Sequence, residues 1–398
     1  MTKSNIKSIN PADFLKAGKN REAIIENSNT NPVPPLGSYK ANKLAAELHP
    51  AVQHLVVSKI EDQPDAKSFH LVANINKGTE KLAYFSAGQY LCVFVEIGGN
   101  TYSRPYSISS SPKQSVNGEY VITVKRVTGG LVTAYILDNW DTGTEVDVSA
   151  PCGTFTYEPL RDAKHIVGVA GGSGVTPFLS LAQAIADGDE NAKLTLIYGA
   201  KNERELMFKD TFDKLSKTCD DFNVVYALSD EENEKYEHGF ITAELIKKYA
   251  PDNYSLFICG PQAMYDFLET QIPALGLRRK FVRRELFGEY RNPQKNADYP
   301  QYVLPECKIT VIIRDETTEI TASTNDTILS SLEKNGIIAP ARCRSGVCGW
   351  CHSKLVSGSV YVPKSVDGRR LADYDYGYIH PCCTFPLSDV TIIVPSAK

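Results

Sequence analysis

Four cysteines near the carboxyl end of the chain have the residue type and spacing that an iron–sulfur centre requires. Cys343, Cys348 and Cys351 form a C-x4-C-x2-C run, and Cys382 follows further along the chain. This is the spacing of plant-type sites, in which four thiolates hold two irons. Two glycines between these cysteines let the backbone fold closely and turn its N–H groups toward the sulfurs. The run therefore predicts a [2Fe–2S] cluster.

Two alternatives stay open for these cysteines. A structural zinc site also takes four thiolates, although such sites more often combine two C-x2-C pairs. Cys383 directly follows Cys382, so the sequence offers two neighbouring candidates for the fourth ligand.

A second group of residues could bind phosphate and an aromatic ring. Arg104 can neutralise a phosphate through paired hydrogen bonds, and the nearby Tyr106 offers a flat ring for stacking. Ser107 adds a hydroxyl that could reach a ring nitrogen. Residues 129–133, Gly-Gly-Leu-Val-Thr, precede a helical pattern, and the exposed N–H groups of a helix start can hold a second phosphate.

A third group is rich in small residues. The apolar run 165–170 is followed by Gly-Gly-Ser-Gly-Val-Thr-Pro at 171–177, and the run 255–259 ends in Cys259-Gly260-Pro261. Small residues let the backbone approach a ligand closely, and a helix start favours negative charge. The first loop does not match G-x-G-x-x-G, so a Rossmann dehydrogenase is not supported.

The periodicity of the chain indicates which elements position these groups. Between residues 52 and 149, short β-branched or aromatic runs alternate with turn-forming clusters, which is typical of a small barrel. The predicted strands are 53–60, 68–75, 90–97, 106–109, 120–127 and 145–149, with a helical stretch at 130–140.

From residue 165 the pattern changes to alternating strands and helices, which predicts a doubly wound parallel sheet. The strands are 165–170, 194–198, 223–228 and 255–259, and the helices extend to about 186 and over 208–218, 243–249 and 262–272. A polar, proline-containing linker precedes a predicted hairpin of 307–313 and 318–322, a helix at 326–335 and a last strand at 391–394.

Length and composition limit the class of protein. A chain of 398 residues is too long for one core, so several domains are expected. The net charge of −4 gives no sign of a nucleic-acid partner. Neither an apolar run long enough to span a membrane nor a signal core is expected, and the cysteines outside the cluster motif are scattered thiols that suit a reducing cytoplasm.

Two further stretches carry weaker signals. Residues 1–50 form an extension, with a short helix expected at 40–48, that serves as a strap over the next domain or as a docking arm for a partner. The basic residues of 278–284 are expected on a solvated face that recognises an acidic partner.

Together and in this order, the motifs of residues 52–398 resemble the ferredoxin–NADP reductase superfamily, and within it flavin reductases of the phthalate dioxygenase reductase type, which carry a C-terminal plant-type ferredoxin domain. The resemblance implies a multidomain protein that combines α/β and all-β folds. Its implied parts are an N-terminal extension (1–50), an FAD-binding antiparallel β-barrel (51–160), a doubly wound parallel NAD-binding α/β domain (161–291), a linker (292–306) and a β-grasp [2Fe–2S] ferredoxin domain (307–398).

The resemblance also implies roles for individual residues. FAD is the expected flavin, with FMN open, and its residues are Arg104, Pro105, Tyr106, Ser107, Gly129, Gly130 and Thr133, the last standing where the family often has serine. The nicotinamide residues are Gly171, Gly172, Gly174, Thr176, Pro177, Ser229, Cys259, Gly260 and Pro261, and Glu285 and Phe287 fall close to the flavin. Ser107 and Cys259 are the candidate catalytic residues. The family places the fourth thiolate four residues before Pro386, which selects Cys382 beside Cys343, Cys348 and Cys351.

The implied function is that of an NADH-dependent iron–sulfur flavoprotein reductase, which passes electrons through FAD and the [2Fe–2S] cluster to a partner redox protein. No haem, Rieske or molybdenum signature is present, so the terminal chemistry is expected on another protein, such as an oxygenase. A stand-alone NAD(P)H reductase of a flavin, ferric ion or quinone is the second hypothesis. A non-enzymatic, zinc-stabilised binding module is the third.

The donor is predicted from residues 229–232. Relatives that use NADPH commonly have a Ser-Arg pair here for the 2′-phosphate, whereas this chain has Ser229 followed by three acids. A carboxylate facing a phosphate is a like-charge contact, which favours NADH over NADPH. Lys201 and Arg204 are the counter-evidence, since either could turn toward the phosphate.

Overall fold

The computed structural model describes residues 20–21, 23–24, 39–286 and 288–396 and divides into two compact units, 1–48 and 49–398. In the first unit, helix α1 spans Lys40–Leu48 and buries none of its residues, which confirms the short helix expected there. The rest of that extension is mostly outside the described residues, and so is any role for it as a strap or docking arm.

The second unit begins with six antiparallel strands and two helices. These are β1 (Gln53–Gln63), β2 (Ala66–Ala73), β3 (Tyr90–Ile97), β4 (Asn100–Ser107), α2 (Pro112–Val116), β5 (Glu119–Lys125), α3 (Leu131–Asn139) and β6 (Glu145–Val148). The strand order is β4-β3-β6-β1-β2-β5, and a bridge between Ile108 and Ile122 joins the two ends of the sheet. Alternate residues such as Leu55 and Val57 fill the interior, so the predicted barrel is confirmed.

Strand β4 differs from the prediction, because it covers Asn100–Ser107 rather than 106–109. Pro105 lies inside it, opposite Cys92 of β3. Proline cannot donate to a sheet ladder and is tolerated where a strand pairs on one side. Strand β4 pairs along its length with β3 and meets β5 only at its end, which accommodates the proline.

The next region is a parallel sheet with helices between its strands. Its elements are β7 (His165–Gly171), α4 (Thr176–Asp187), β8 (Lys193–Ala200), α5 (Lys209–Thr218), β9 (Phe222–Leu228), β10 (Glu237–His238), α6 (Ala243–Tyr249), β11 (Ser255–Cys259), α7 (Gln262–Gln271) and β12 (Val282–Glu285). The order β10-β9-β8-β7-β11-β12 reverses direction between β7 and β11. Ligands of such sheets bind in the crevice at the carboxyl ends of the strands where the order reverses.

The carboxyl-terminal region is a small mixed sheet packed on a helix. Its elements are β13 (Glu306–Ile313), β14 (Glu316–Ser323), α8 (Ile328–Lys334), β15 (Ser353–Ser357), β16 (Val360–Tyr361), α9 (Leu371–Asp375), β17 (Tyr378–Ile379), β18 (Phe385–Pro386) and β19 (Val390–Ile393). The main sheet has the order β14-β13-β19-β15-β17. Ile328 and Leu332 of α8 pack with Ile309 and Val311 of β13, and the cysteine loop runs between α8 and β15.

Buried contacts join the barrel to the parallel sheet. The ring of Phe155 meets Phe178 of α4 at 5.6 Å and Phe257 of β11 at 5.1 Å between centroids. Arg283, which the sequence placed on a solvated face, is instead buried in β12 and bonds Asp162 at 3.0 Å. That expectation was wrong because the adjacent strand pairing with β11 is a long-range feature.

Replacing Phe155 by Ala should lower the free energy of unfolding by about 3–4 kcal/mol, because a buried aromatic ring is removed from a packed interface. The matched control is Leu160→Ala, since Leu160 is 96% exposed and its loss should change the stability by less than about 0.5 kcal/mol. Denaturant titrations followed by circular dichroism compare the two variants. Equal destabilisation by both would contradict the packing described for Phe155.

Candidate functional site

The four predicted cluster ligands come together in the structure. The Sγ atoms of Cys351 and Cys382 are 3.4 Å apart, and the thiol of Cys343 contacts those of Cys348 and Cys382. Two sulfurs on one tetrahedral metal with bonds near 2.3 Å lie about 3.8 Å apart, so the grouping fits ligation of iron. In the described part of the chain, no three His, Cys, Asp or Glu side chains are arranged to hold a single metal ion.

Backbone donors surround these sulfurs. The N–H of Gly346 donates to Cys382 Sγ at 3.3 Å, and the N–H of Cys348 donates to Cys343 Sγ at 3.4 Å. Gly346 has a φ of +81°, and a Cβ there would lie 2.1 Å from the carbonyl oxygen of Val366. Only glycine therefore fits this turn, and its N–H is aimed as a cluster sulfur would need.

The structure separates the two adjacent cysteines. Cys382 Sγ lies within the sulfur group, whereas Cys383 Sγ lies 3.5 Å from the carbonyl oxygen of His380. Both side chains are about 1% exposed, so burial alone does not distinguish them. The contacts support Cys382 as the fourth ligand.

Cys382→Ser should remove most of the iron and the visible absorbance of the cluster, because a thiolate is lost from the sulfur group. Cys383→Ser is the matched control and should retain both. Iron content and absorbance of the purified variants measure the difference, and the opposite pattern would assign the ligand to Cys383.

A cavity of about 300 Å³ lies where β4, β5 and α3 meet. Six predicted flavin residues line it, namely Arg104, Pro105, Tyr106, Ser107, Gly130 and Thr133, while Gly129 lies just outside at a φ of +69°. The hydroxyls of Tyr106 and Ser107 are buried there, without a hydrogen-bond partner among the described residues. Burial also raises the pKa of Tyr106, which keeps its hydroxyl neutral. Two unpaired buried hydroxyls fit a cofactor that supplies their partners.

The charge of this cavity suits phosphate. Its described lining holds five cations and one acid, Glu289. The cations are Arg104, Lys125, Arg126, Arg291 and Arg344. Gly130 precedes α3 and has no side chain to cap the first N–H groups of that helix, which are therefore available to an anion. The sequence identified only Arg104 among these cations, because the others come from separate segments without a motif of their own.

A second cavity, of about 520 Å³, lies at the reversal point of the parallel sheet. Gly171, Gly172, Ser229 and Pro261 line it, as predicted for the nicotinamide nucleotide. Lys125 lines both cavities, so it lies between the two expected cofactors.

The other predicted nicotinamide residues support this cavity or lie beside it. A Cβ at Gly174 would lie 2.2 Å from the carbonyl oxygen of Cys259, so the glycine loop and the end of β11 are in direct contact. Cys259, Gly260, Gly174 and Pro177 are not among the lining residues of either cavity, and Thr176 lines the first cavity rather than the second.

Two buried ionisable groups lie side by side at the ends of β11 and β12. Cys259 and Glu285 are register partners, and burial raises the pKa of both well above their usual values. Glu285 Oε2 has no hydrogen-bond partner among the described residues. A neutral Glu285 can therefore donate a proton-bearing oxygen toward a ligand. Phe287 falls outside the described residues.

The acids of residues 230–232 do not act as a group. Asp230 lines the second cavity together with Lys201, and the hydroxyl of Ser229 lies 2.5 Å from its carboxylate. Glu231 instead accepts from the N–H of Glu203 at 3.0 Å, and the side chain of Glu232 is 88% exposed. Discrimination between donors therefore depends on one acid and one cation.

Asp230→Ala should raise kcat/KM for NADPH about tenfold relative to NADH, because it removes the one carboxylate beside Lys201. Glu232→Ala is the control and should leave the ratio unchanged, since that side chain points to solvent. Steady-state rates with both donors and an artificial acceptor measure the ratio. A wild-type preference for NADPH would show that Lys201 controls the pocket.

Three protein-family models match successive parts of the chain. Residues 54–157 match an oxidoreductase FAD-binding domain, residues 169–270 an oxidoreductase NAD-binding domain, and residues 311–387 a 2Fe-2S iron-sulfur cluster binding domain. Each match coincides with one of the three sheets. None of the helices in the described residues is both long enough and apolar enough to cross a membrane.

Characterised relatives align over most of the chain. The ferredoxin reductase component of 3-ketosteroid-9-alpha-monooxygenase from Mycolicibacterium smegmatis is 30% identical over 369 residues, which cover 89% of this chain and 97% of the relative. The glycine betaine monooxygenase reductase subunit of Pseudomonas aeruginosa is 27% identical, covering 85% and 95%. The solved structure of phthalate dioxygenase reductase superposes with a TM-score of 0.63 at 25% identity, covering 87% of this chain and 98% of that one.

Proposed function

This chain belongs to the ferredoxin–NADP reductase superfamily, in the family of reductase components that join FAD-binding, NAD-binding and 2Fe-2S domains, and from that premise we propose that it supplies electrons from NADH to a partner oxygenase. The relatives that support an oxygenase as partner are named as monooxygenase or epoxidase reductase components. This chain is thus an NAD(P)H-dependent oxidoreductase, and the third hypothesis of a non-enzymatic zinc module is set aside.

The barrel binds the flavin in this proposal. When bound, FAD accepts a hydride as two electrons and releases them singly, and a [2Fe–2S] cluster takes one at a time. Arg104 and the start of α3 would hold the phosphates, and the unpaired hydroxyls of Tyr106 and Ser107 would bond the ring system. The five cations around one acid favour a pyrophosphate, and hence FAD over FMN.

The parallel sheet presents the nicotinamide to that ring. Gly172 lines the second cavity, and Gly174 keeps the glycine loop against the end of β11. Cys259 and Glu285 close the space between the sheet and the barrel, where burial excludes water from the transfer of hydride. Lys125 lies between both cavities and would hold the charge of both nucleotides.

The observation that carries the proposal is a pair of consecutive residues. Cys343 is a cluster ligand by the sulfur geometry, and Arg344 lines the flavin cavity. Cys343 also packs against Tyr90 and Cys92 of the barrel. The cluster loop therefore lies directly on the flavin domain, as a transfer of electrons between the two sites needs.

The opposite side of the cluster loop is open to a partner. Cys348 is exposed, and Val347 and Trp350 are 66% and 51% exposed. Arg342 lies over the Trp350 ring at 3.5 Å, which fixes the indole at the surface. A cytoplasmic location suits a chain whose ten cysteines are all unpaired by disulfides.

Cys351→Ser tests the order of the sites, because it removes a cluster thiolate without touching the flavin cavity. Flavin content and NADH-dependent reduction of ferricyanide should persist, whereas reduction of a cytochrome should fall to a few per cent or less of the wild-type rate. Equal loss of both activities would show that electrons do not pass from flavin to cluster.

A further inference from the structure

We propose that Glu333 is a positioning residue that holds the iron–sulfur domain onto the flavin domain by sharing its carboxylate between Arg104 and Arg344. The inference rests on the proposed function, since it concerns the step from the flavin site to the cluster. Glu333 lies on α8, Arg104 on β4 and Arg344 in the cluster loop.

The carboxylate of Glu333 accepts hydrogen bonds from both domains. From the barrel, Arg104 Nη1 is 3.0 Å from Oε2, and the N–H of Ser103 is 3.1 Å from Oε1. From the cluster loop, Arg344 donates Nη1 to Oε1 at 2.7 Å and Nη2 to Oε2 at 2.9 Å. Each oxygen is therefore shared between the two domains.

The network is shielded from water. The side chains of Arg344 and Glu333 are 0% and 6% exposed, and that of Arg104 is 23% exposed. Burial opposes the charge of Arg344, but Glu289 and Glu333 outweigh it and raise its pKa. Buried charges are stable only while they are paired, so separation of the domains would leave them uncompensated. The docked arrangement is therefore strongly favoured.

The same network reaches the flavin cavity. Arg104 and Arg344 both line it, and Arg344 directly follows the ligand Cys343. Glu333 engages Nη1 of Arg104, so a flavin phosphate would be held by the other N–H groups of that guanidinium. A single arginine thus connects the position of the flavin to the position of the cluster loop.

Glu333→Gln in the full-length protein is the test, because glutamine keeps the shape and removes the shared charge. Flavin and iron contents should be unchanged, since both arginines remain beside the phosphate site, and NADH–ferricyanide reduction should stay within about twofold of wild type. In anaerobic stopped-flow absorbance, reduction of the cluster by the reduced flavin should slow by about tenfold or more, because small displacements of reacting centres have large kinetic effects.

Two further variants sharpen the result. Lys334→Gln removes a neighbouring charge whose ion pair with Asp326 is half-exposed, and it should leave both rates unchanged. Glu333→Asp keeps the charge on a shorter side chain and should restore part of the rate, which a purely structural role would not predict.

A wild-type rate of cluster reduction in Glu333→Gln would overturn the assignment, and so would parallel loss of flavin, iron and thermal stability. If the glutamine variant does not fold, Glu333→Asp decides, with an intermediate rate expected and a wild-type rate contradicting the proposal. A wild-type protein whose cluster NADH cannot reduce would refute the proposed function, and this inference with it, before any variant is compared.

Discussion

A buried carboxylate between two arginines fixes how the iron–sulfur domain meets the flavin domain. Glu333 is almost fully buried, and both of its oxygens are bonded by residues of two domains. Unpaired charge in such a place is costly, so the contact has a narrow range of geometries. The relation between the flavin cavity and the cluster loop depends on this contact, since Arg104 and Arg344 line the cavity themselves.

The nicotinamide side follows from a different constraint, the topology of the parallel sheet. Its strand order reverses between β7 and β11, and the glycine loop and the Cys259 turn both lie at that point. Aromatic packing of Phe155 against Phe178 and Phe257 then fixes this sheet on the barrel. Two cavities that share Lys125 are the result, and they place the donor beside the flavin site.

Local patterns in the sequence predicted the parts that depend on neighbouring residues. The cysteine spacing, the glycine loop and the buried strands are of this kind, and the sulfur grouping and the parallel sheet agree with them. Partners distant in the chain could not be predicted, as with Arg104 and Glu333, which lie 229 residues apart. Side-chain direction was also hidden, because Asp230 lines its cavity while Glu231 turns to the backbone of Glu203.

The central claim is that NADH, flavin and cluster act in series within one chain. Anaerobic mixing of the wild-type protein with NADH, followed at the separate absorbance bands of the flavin and the cluster, tests it most directly. The account predicts that flavin absorbance falls first and that the cluster is then reduced at a rate independent of NADH concentration. Reduction of the cluster before the flavin, or a cluster that stays oxidised while the flavin is fully reduced, would contradict it.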